Sequence, residues 1–124
     1  MKLYIPILFL LFALLPHLVS AEELLKTQTS WDGEGISYPQ GQPKITSVKL
    51  RIEENQVTKF HCHPVPTLGI FLQGDVEVET INGKKIILKE GKSAVEVMRT
   101  IHRGRAINGP VEIIVFLRWV NDVT

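Results

Sequence analysis

Along Lys44–Ile52 polar and apolar residues alternate, with Thr46, Val48, Leu50 and Ile52 on one face and Ile45, Ser47, Lys49 and Arg51 on the other. Period-two alternation predicts a β-strand, because successive side chains leave an extended chain on opposite sides. The pattern recurs downstream. Val76, Val78 and Thr80 face one way and Glu77 and Glu79 the other, and Asn82-Gly83 is the dipeptide favoured by two-residue type I′ turns, which predicts a hairpin running on to Leu88. Lys92–Val97 and Pro110–Val120 predict further strands after Gly-containing turns. The apolar set Leu68, Ile70, Leu72, Ile86, Leu88, Ile114, Phe116 and Trp119 reads as core and inter-sheet packing. No segment shows a helical period with caps, and there is no internal repeat. Short strands separated by Gly-rich turns predict an all-β sandwich or barrel.

The first residues break this pattern. Residues 1–21 carry one charge, Lys2, then an apolar core over Ile7–Leu15, then Pro16 and a small-residue end at Ser20-Ala21. The apolar stretch falls short of the ~20 residues that span a bilayer, and its layout is that of a cleavable signal peptide. The expectation is removal after Ala21 and a periplasmic or secreted protein, with no membrane association afterwards. Residues 22–43 read as an N-terminal arm, rich in Gly, Pro, Ser and Gln and anchored by Trp31 and Tyr38, and residues 44–124 as one domain.

Composition narrows the function. Without Lys2, the 14 Lys and Arg become 13 against 13 Asp and Glu, a balance that argues against nucleic acid or an anionic membrane surface as partner. Cys62 is the only cysteine, so no intrachain disulfide staples the domain. Of four histidines, His17 leaves with the signal segment, and His61, His63 and His102 remain. His61 and His63 stand two apart, hence on one face of a strand, with Cys62 between them pointing the other way as an expected core thiol. Imidazole is the commonest transition-metal ligand, but His-x-His alone is a weak signal.

These residues resemble the cupin motif, Gly-x5-His-x-His-x3-4-Glu-x6-Gly followed by Gly-x5-Pro-x-Gly-x2-His-x3-Asn. His61 and His63 take the paired positions, Gly74 the closing glycine, Gly91 the opening of the second motif and His102 its histidine. The chain is most similar to small, single-domain exported cupins that carry a lead-in like Tyr38–Pro43. The resemblance implies a jelly roll, a homodimer, and a divalent transition metal (Fe, Mn, Ni, Zn or Cu) held by His61, His63 and His102. There are departures. Thr67 stands where the motif has its carboxylate, Asn55 replaces the leading Gly, Val97 and Arg99 replace the second motif's Pro and Gly, and Asn108 lies two positions late. Asn tolerates the left-handed backbone a Gly would supply.

With no carboxylate at Thr67, Glu96 draws notice inside the apolar run Ser93–Met98. It could be a distal ligand, an acceptor orienting an imidazole, a catalytic base, or a solvent-facing residue paired with a lysine. Arg99 and Arg103, with Thr67, could contact a small-molecule substrate; the arginines, with Arg105, could equally form a charged rim paired with Glu90 and Glu112. The functional expectation is an exported metal-binding cupin acting on a small molecule as an oxygenase, isomerase or lyase. The alternative is a non-catalytic binding or sensing cupin, with or without metal. No nucleophile-elbow motif supports a hydrolase.

Overall fold

The computed structural model describes residue 2 and residues 18–120, so the apolar core expected of a signal segment lies outside the described residues. Seven strands follow the arm: β1 Pro43–Ile52, β2 Thr67–Gln73, β3 Val76–Thr80, β4 Lys85–Leu88, β5 Ser93–Val95, β6 His102–Ala106 and β7 Val111–Val120. They form two antiparallel sheets, ordered β1-β7-β2-β5 and β4-β3-β6, whose inner faces enclose the core. This is the expected all-β jelly-roll sandwich.

Strand parity explains which residues meet inside. From β3 and β6, Val76, Val78 and Thr80 pair across from Ala106, Gly104 and His102, and all six are buried. From the other sheet come Ile52, Phe71, Ala94, Val111 and Ile113. Complete burial of a ring such as Phe71 contributes on the order of 2–3 kcal/mol. Only Leu88 of the apolar set expected in the core is fully buried. On β2 and β7, Leu68, Ile70, Leu72, Ile114 and Phe116 face outward, Leu72 and Phe116 being exposed, while Thr67, Gly69, Phe71, Val111 and Ile113 face in. These two strands are apolar on both faces, so their alternation did not say which face is buried. Part of the outer face meets the arm, where Ile36 and Tyr38 share a groove with Leu68 and Phe116.

The arm docks at the β5 edge. Thr29 and Gly35 pair across a tight loop, and the Trp31 backbone N–H donates to the Val95 carbonyl at 3.0 Å. Trp31 then packs against the core, whereas Tyr38 stays half exposed with the Arg118 guanidinium 4.6 Å over its ring.

The β3–β4 hairpin forms as expected, but with a different turn. Gly83 N–H donates to the Thr80 carbonyl and Thr80 N–H to that of Lys84, and of the loop residues only Gly83 has positive φ, at 86°. A type I′ turn needs two such residues; this is a type I turn with Gly83 in the left-handed position after it, the usual three-residue hairpin. Asn55 adopts φ 63°, as expected of a Gly substitute, and Arg99 holds φ 52° where the motif has its second Gly. The left-handed backbone is thus kept at position 99 without the residue that adopts it most easily.

Candidate metal centre

His61 and His63 lie on an irregular segment that runs beside β6. His61 and His102 exchange both backbone hydrogen bonds, each 2.9 Å, and His63 bridges to Met98. That pairing, with the two-residue spacing of His61 and His63, brings the three rings together. Their centroids lie 4.5 to 5.0 Å apart, and one nitrogen of each lies within 4.8 Å of the others. Cys62, between them, is exposed, which corrects the expectation of a core thiol: its neighbours turn inward to His102 and Met98, so its own side chain points the other way, to solvent.

Two rings are oriented by the chain itself. His61 Nδ1 lies 2.8 Å from the Lys59 carbonyl and His102 Nδ1 2.8 Å from that of Thr100, each two residues back. A carbonyl can only accept, so in the neutral rings the proton sits on Nδ1 and Nε2 presents a lone pair. This backbone clamp is a familiar way to fix the tautomer of a metal-binding histidine. His63 has a different control: burial first, then the neighbouring His102 and His61, lower its pKa to about 4, so its ring is neutral at physiological pH.

Glu96 completes the group. Its backbone N–H donates to the Thr67 carbonyl at 2.9 Å, extending the β2–β5 register in which Leu68 faces Val95, so residues 67 and 96 are cross-strand neighbours on the inner face. The carboxylate absent from position 67 is therefore present on the adjacent strand. Its Oε2 lies 3.8 Å from His102 Nε2 and is buried without a hydrogen-bond partner among the described residues. Burial pushes the Glu96 pKa up to about 7, opposed in part by the Trp31 indole, whose nitrogen does not reach hydrogen-bonding geometry, and by His61. Of the alternatives for Glu96, the solvent-facing lysine partner is excluded by this burial.

The donor set fits a transition metal. Three imidazoles converge, two with their lone pairs fixed, and a carboxylate oxygen faces an imidazole acceptor with no proton donor between them. Where Glu96 is ionised, a cation reconciles two facing acceptors that would otherwise repel.

Thr67 is buried, 1% exposed, and lines the same cavity, with its hydroxyl donating to the Val65 carbonyl at 3.0 Å. Arg99 and Arg103 do not line it. Arg99 pairs with Glu34 at 2.8 Å; Arg103 pairs with Glu79 at 3.1 Å and covers Phe60; Arg105 pairs with Glu77 at 3.3 Å. Parity is the cause, since Arg103 and Arg105 alternate with the inward His102, Gly104 and Ala106. The acidic partners differ from those expected: Glu112 pairs with Lys49 and Arg51, and Glu90 accepts from the Gly74 N–H. Gly69, which the sequence pattern did not single out, and Gly104 are inward glycines in strand interiors, a position that marks close approach or free space.

The cupin domain family model matches residues 48–117. Among solved structures the chain is similar to the DMSP lyase DddQ from Ruegeria pomeroyi DSS-3, at 18% identity and TM-score 0.55, over 64% of this chain and 41% of that one. It is similar to KdgF from Halomonas sp., at 24% identity and TM-score 0.52, over 66% and 76% of the two chains. A cupin domain from Bordetella pertussis is covered in full by 69% of this chain, at 16% identity and TM-score 0.53. At these identities the likeness is one of fold. No curated protein matches the sequence.

Proposed function

This chain belongs to the cupin domain family, and from that premise we propose that His61, His63 and His102 hold one divalent transition metal and that Glu96 handles a proton of a small molecule bound beside them. The observation that carries the reading is the placement of Glu96 opposite Thr67, with a buried, unpartnered oxygen 3.8 Å from His102 Nε2. When bound, the metal supplies Lewis-acid polarisation of an oxygen on the small molecule. The remaining work belongs to the chain. The Lys59 and Thr100 carbonyls hold the His61 and His102 rings in orientation, and the inner sheet faces exclude water. Glu96 accepts a proton from the carbon or oxygen so polarised and returns it, the task of a general base in an isomerase- or lyase-type reaction. Titration with Co2+ tests the metal assignment. One equivalent should bind with visible absorption bands of a nitrogen-ligated ion, and a featureless titration overturns the assignment.

The mature protein is proposed to be an exported homodimer. Its edge strand β1 leaves Ile45 72% exposed and Val48 and Leu50 partly so, an open apolar edge that isolated domains avoid. Light scattering at micromolar concentration should give twice the chain mass, with the N-terminus at Glu22. A monomer, or an intact N-terminus on the exported protein, contradicts the respective claim.

A further inference from the structure

The strand register sorts the cavity into two ends. Thr67 pairs with Glu96 on one side and His102 with His61 on the other, and Glu96 lies 3.8 Å from His102 at that end of the cavity. Two residues further along β2 and β6 stand Gly69 and Gly104, paired across from Val115 and Val78. Beyond them come Ile113, Val76 and Ile52, all buried, so that end is closed to solvent. Apart from Thr58, which stands beside Gly104, the polar side chains of the lining are at one pole. Thr58 and Thr67, the two hydroxyls of the lining, are both engaged with backbone: Thr58 Oγ1 accepts from the Gly104 N–H at 2.9 Å and Thr67 Oγ1 donates to Val65. Among the described residues no Lys, Arg, Asn or Gln lines the cavity, and Arg99, Arg103 and Arg105 are held outside by acidic partners.

The space exists because two inward positions carry no side chain. A Cβ at Gly69 would sit in ordinary contact, 3.4 Å from the Phe71 ring and 3.6 Å from Ile113, and one at Gly104 would press on Val76 at 3.2 Å. Neither glycine has positive φ, so neither is there for the backbone's sake. The cavity holds about 90 Å³, below the roughly 300–1,000 Å³ typical of drug-sized ligands, so it admits a body of only a few carbon atoms.

We propose that this cavity takes a small molecule with a single polar head and an apolar body, the head at the His61–His63–His102–Glu96 pole and the body in the space left by Gly69 and Gly104, an inference that rests on the reading of that pole as the reactive end. A second polar group at the far end of the body would be stripped of water against Ile113, Val76 and Ile52, whose side chains offer no hydrogen bond. Sugars, polyols and doubly charged acids are therefore excluded, while chain length is rewarded.

Simple alcohols test this without knowledge of the natural ligand. Binding of propan-1-ol, pentan-1-ol and pentane-1,5-diol is followed by methyl NMR shifts in both zinc-loaded and EDTA-treated wild-type protein. At about fourfold per buried methylene, pentan-1-ol should bind about 15-fold more tightly than propan-1-ol. The diol should bind roughly tenfold or more weakly than pentan-1-ol. Gly69→Ala, whose methyl group the site accepts by ordinary contact, should erase most of the chain-length gain and leave zinc content unchanged. Equal affinities for the three alcohols, no saturable binding of pentan-1-ol, or a chain-length gain that survives Gly69→Ala overturns the inference. A chain-length gain in protein that takes up no zinc supports the apolar pocket while it sinks the metal assignment, so the two failures are separable.

Discussion

Replacing His61 with alanine is expected to cost the protein its metal but almost none of its stability. The ring is exposed, and the one hydrogen bond it makes, to the Lys59 carbonyl, is exposed too. Exposed substitutions of this kind change stability by about 0.5 kcal/mol or less. The loss of a ligand, by contrast, should exceed the roughly 10–100-fold drop in metal affinity typical of removing a residue that merely orients one. His102→Ala should lose metal as well, and also destabilise the fold, because His102 is buried between the sheets. The pair of variants separates a ligand role from a packing role: thermal unfolding of metal-free protein should distinguish them, and metal content should not. A His61→Ala protein that keeps a full equivalent of metal removes this residue from the site.

Glu96→Gln is expected to leave metal content nearly intact and to lower any turnover by about 10²–10⁴-fold, the usual contribution of a general base. Its effect on metal-free protein is equally definite. Folding raises the Glu96 pKa from 4.5 to about 7, so the folded state binds more protons than the unfolded one between those values and stability falls as pH rises through them. The ionised form then weakens the fold by about 3 kcal/mol above pH 7, a penalty the neutral amide does not carry. His63 acts in the opposite sense. Its pKa is lowered from 6.5 to about 4, so stability is lost as pH falls through that range. In the wild type the two slopes offset each other between about pH 4.5 and 6.5, and metal-free stability should be nearly flat there. In Glu96→Gln only the His63 slope remains, and stability should climb with pH. Denaturant melts of both proteins with EDTA, from pH 4.5 to 8, check this. Parallel curves for the two proteins would show that Glu96 titrates elsewhere than in this pocket.

The fold and the His61–His63 pair were legible because each depends on a local rule, whereas His102 was joined to them only by the cupin resemblance. Period-two alternation with Gly at the turns predicts the sandwich, and the spacing of His61 and His63 predicts a shared face. What could not be read needed pairing across strands. Glu96 has apolar neighbours on both sides, and only its register against Thr67 says that it points inward. The same ambiguity misassigned β2 and β7, where both faces are apolar and Leu72 and Phe116 proved to be outside. Cys62 was expected in the core because it points away from His61 and His63, whereas on this segment that direction is solvent. Thr67 has a buried hydroxyl bonded to its own chain, so it shapes the cavity wall next to Glu96.

The claim on which the rest depends is that His61, His63 and His102 together form one metal site. The measurement that tests it most directly is elemental analysis of wild-type protein and of the triple alanine variant, both purified without a chelating step. The account predicts close to one equivalent of a first-row transition metal per wild-type chain and essentially none in the variant. Metal retained in full by the triple variant, or absent from wild-type protein and not restored by adding Zn2+, Fe2+, Mn2+, Ni2+ or Cu2+, would contradict it.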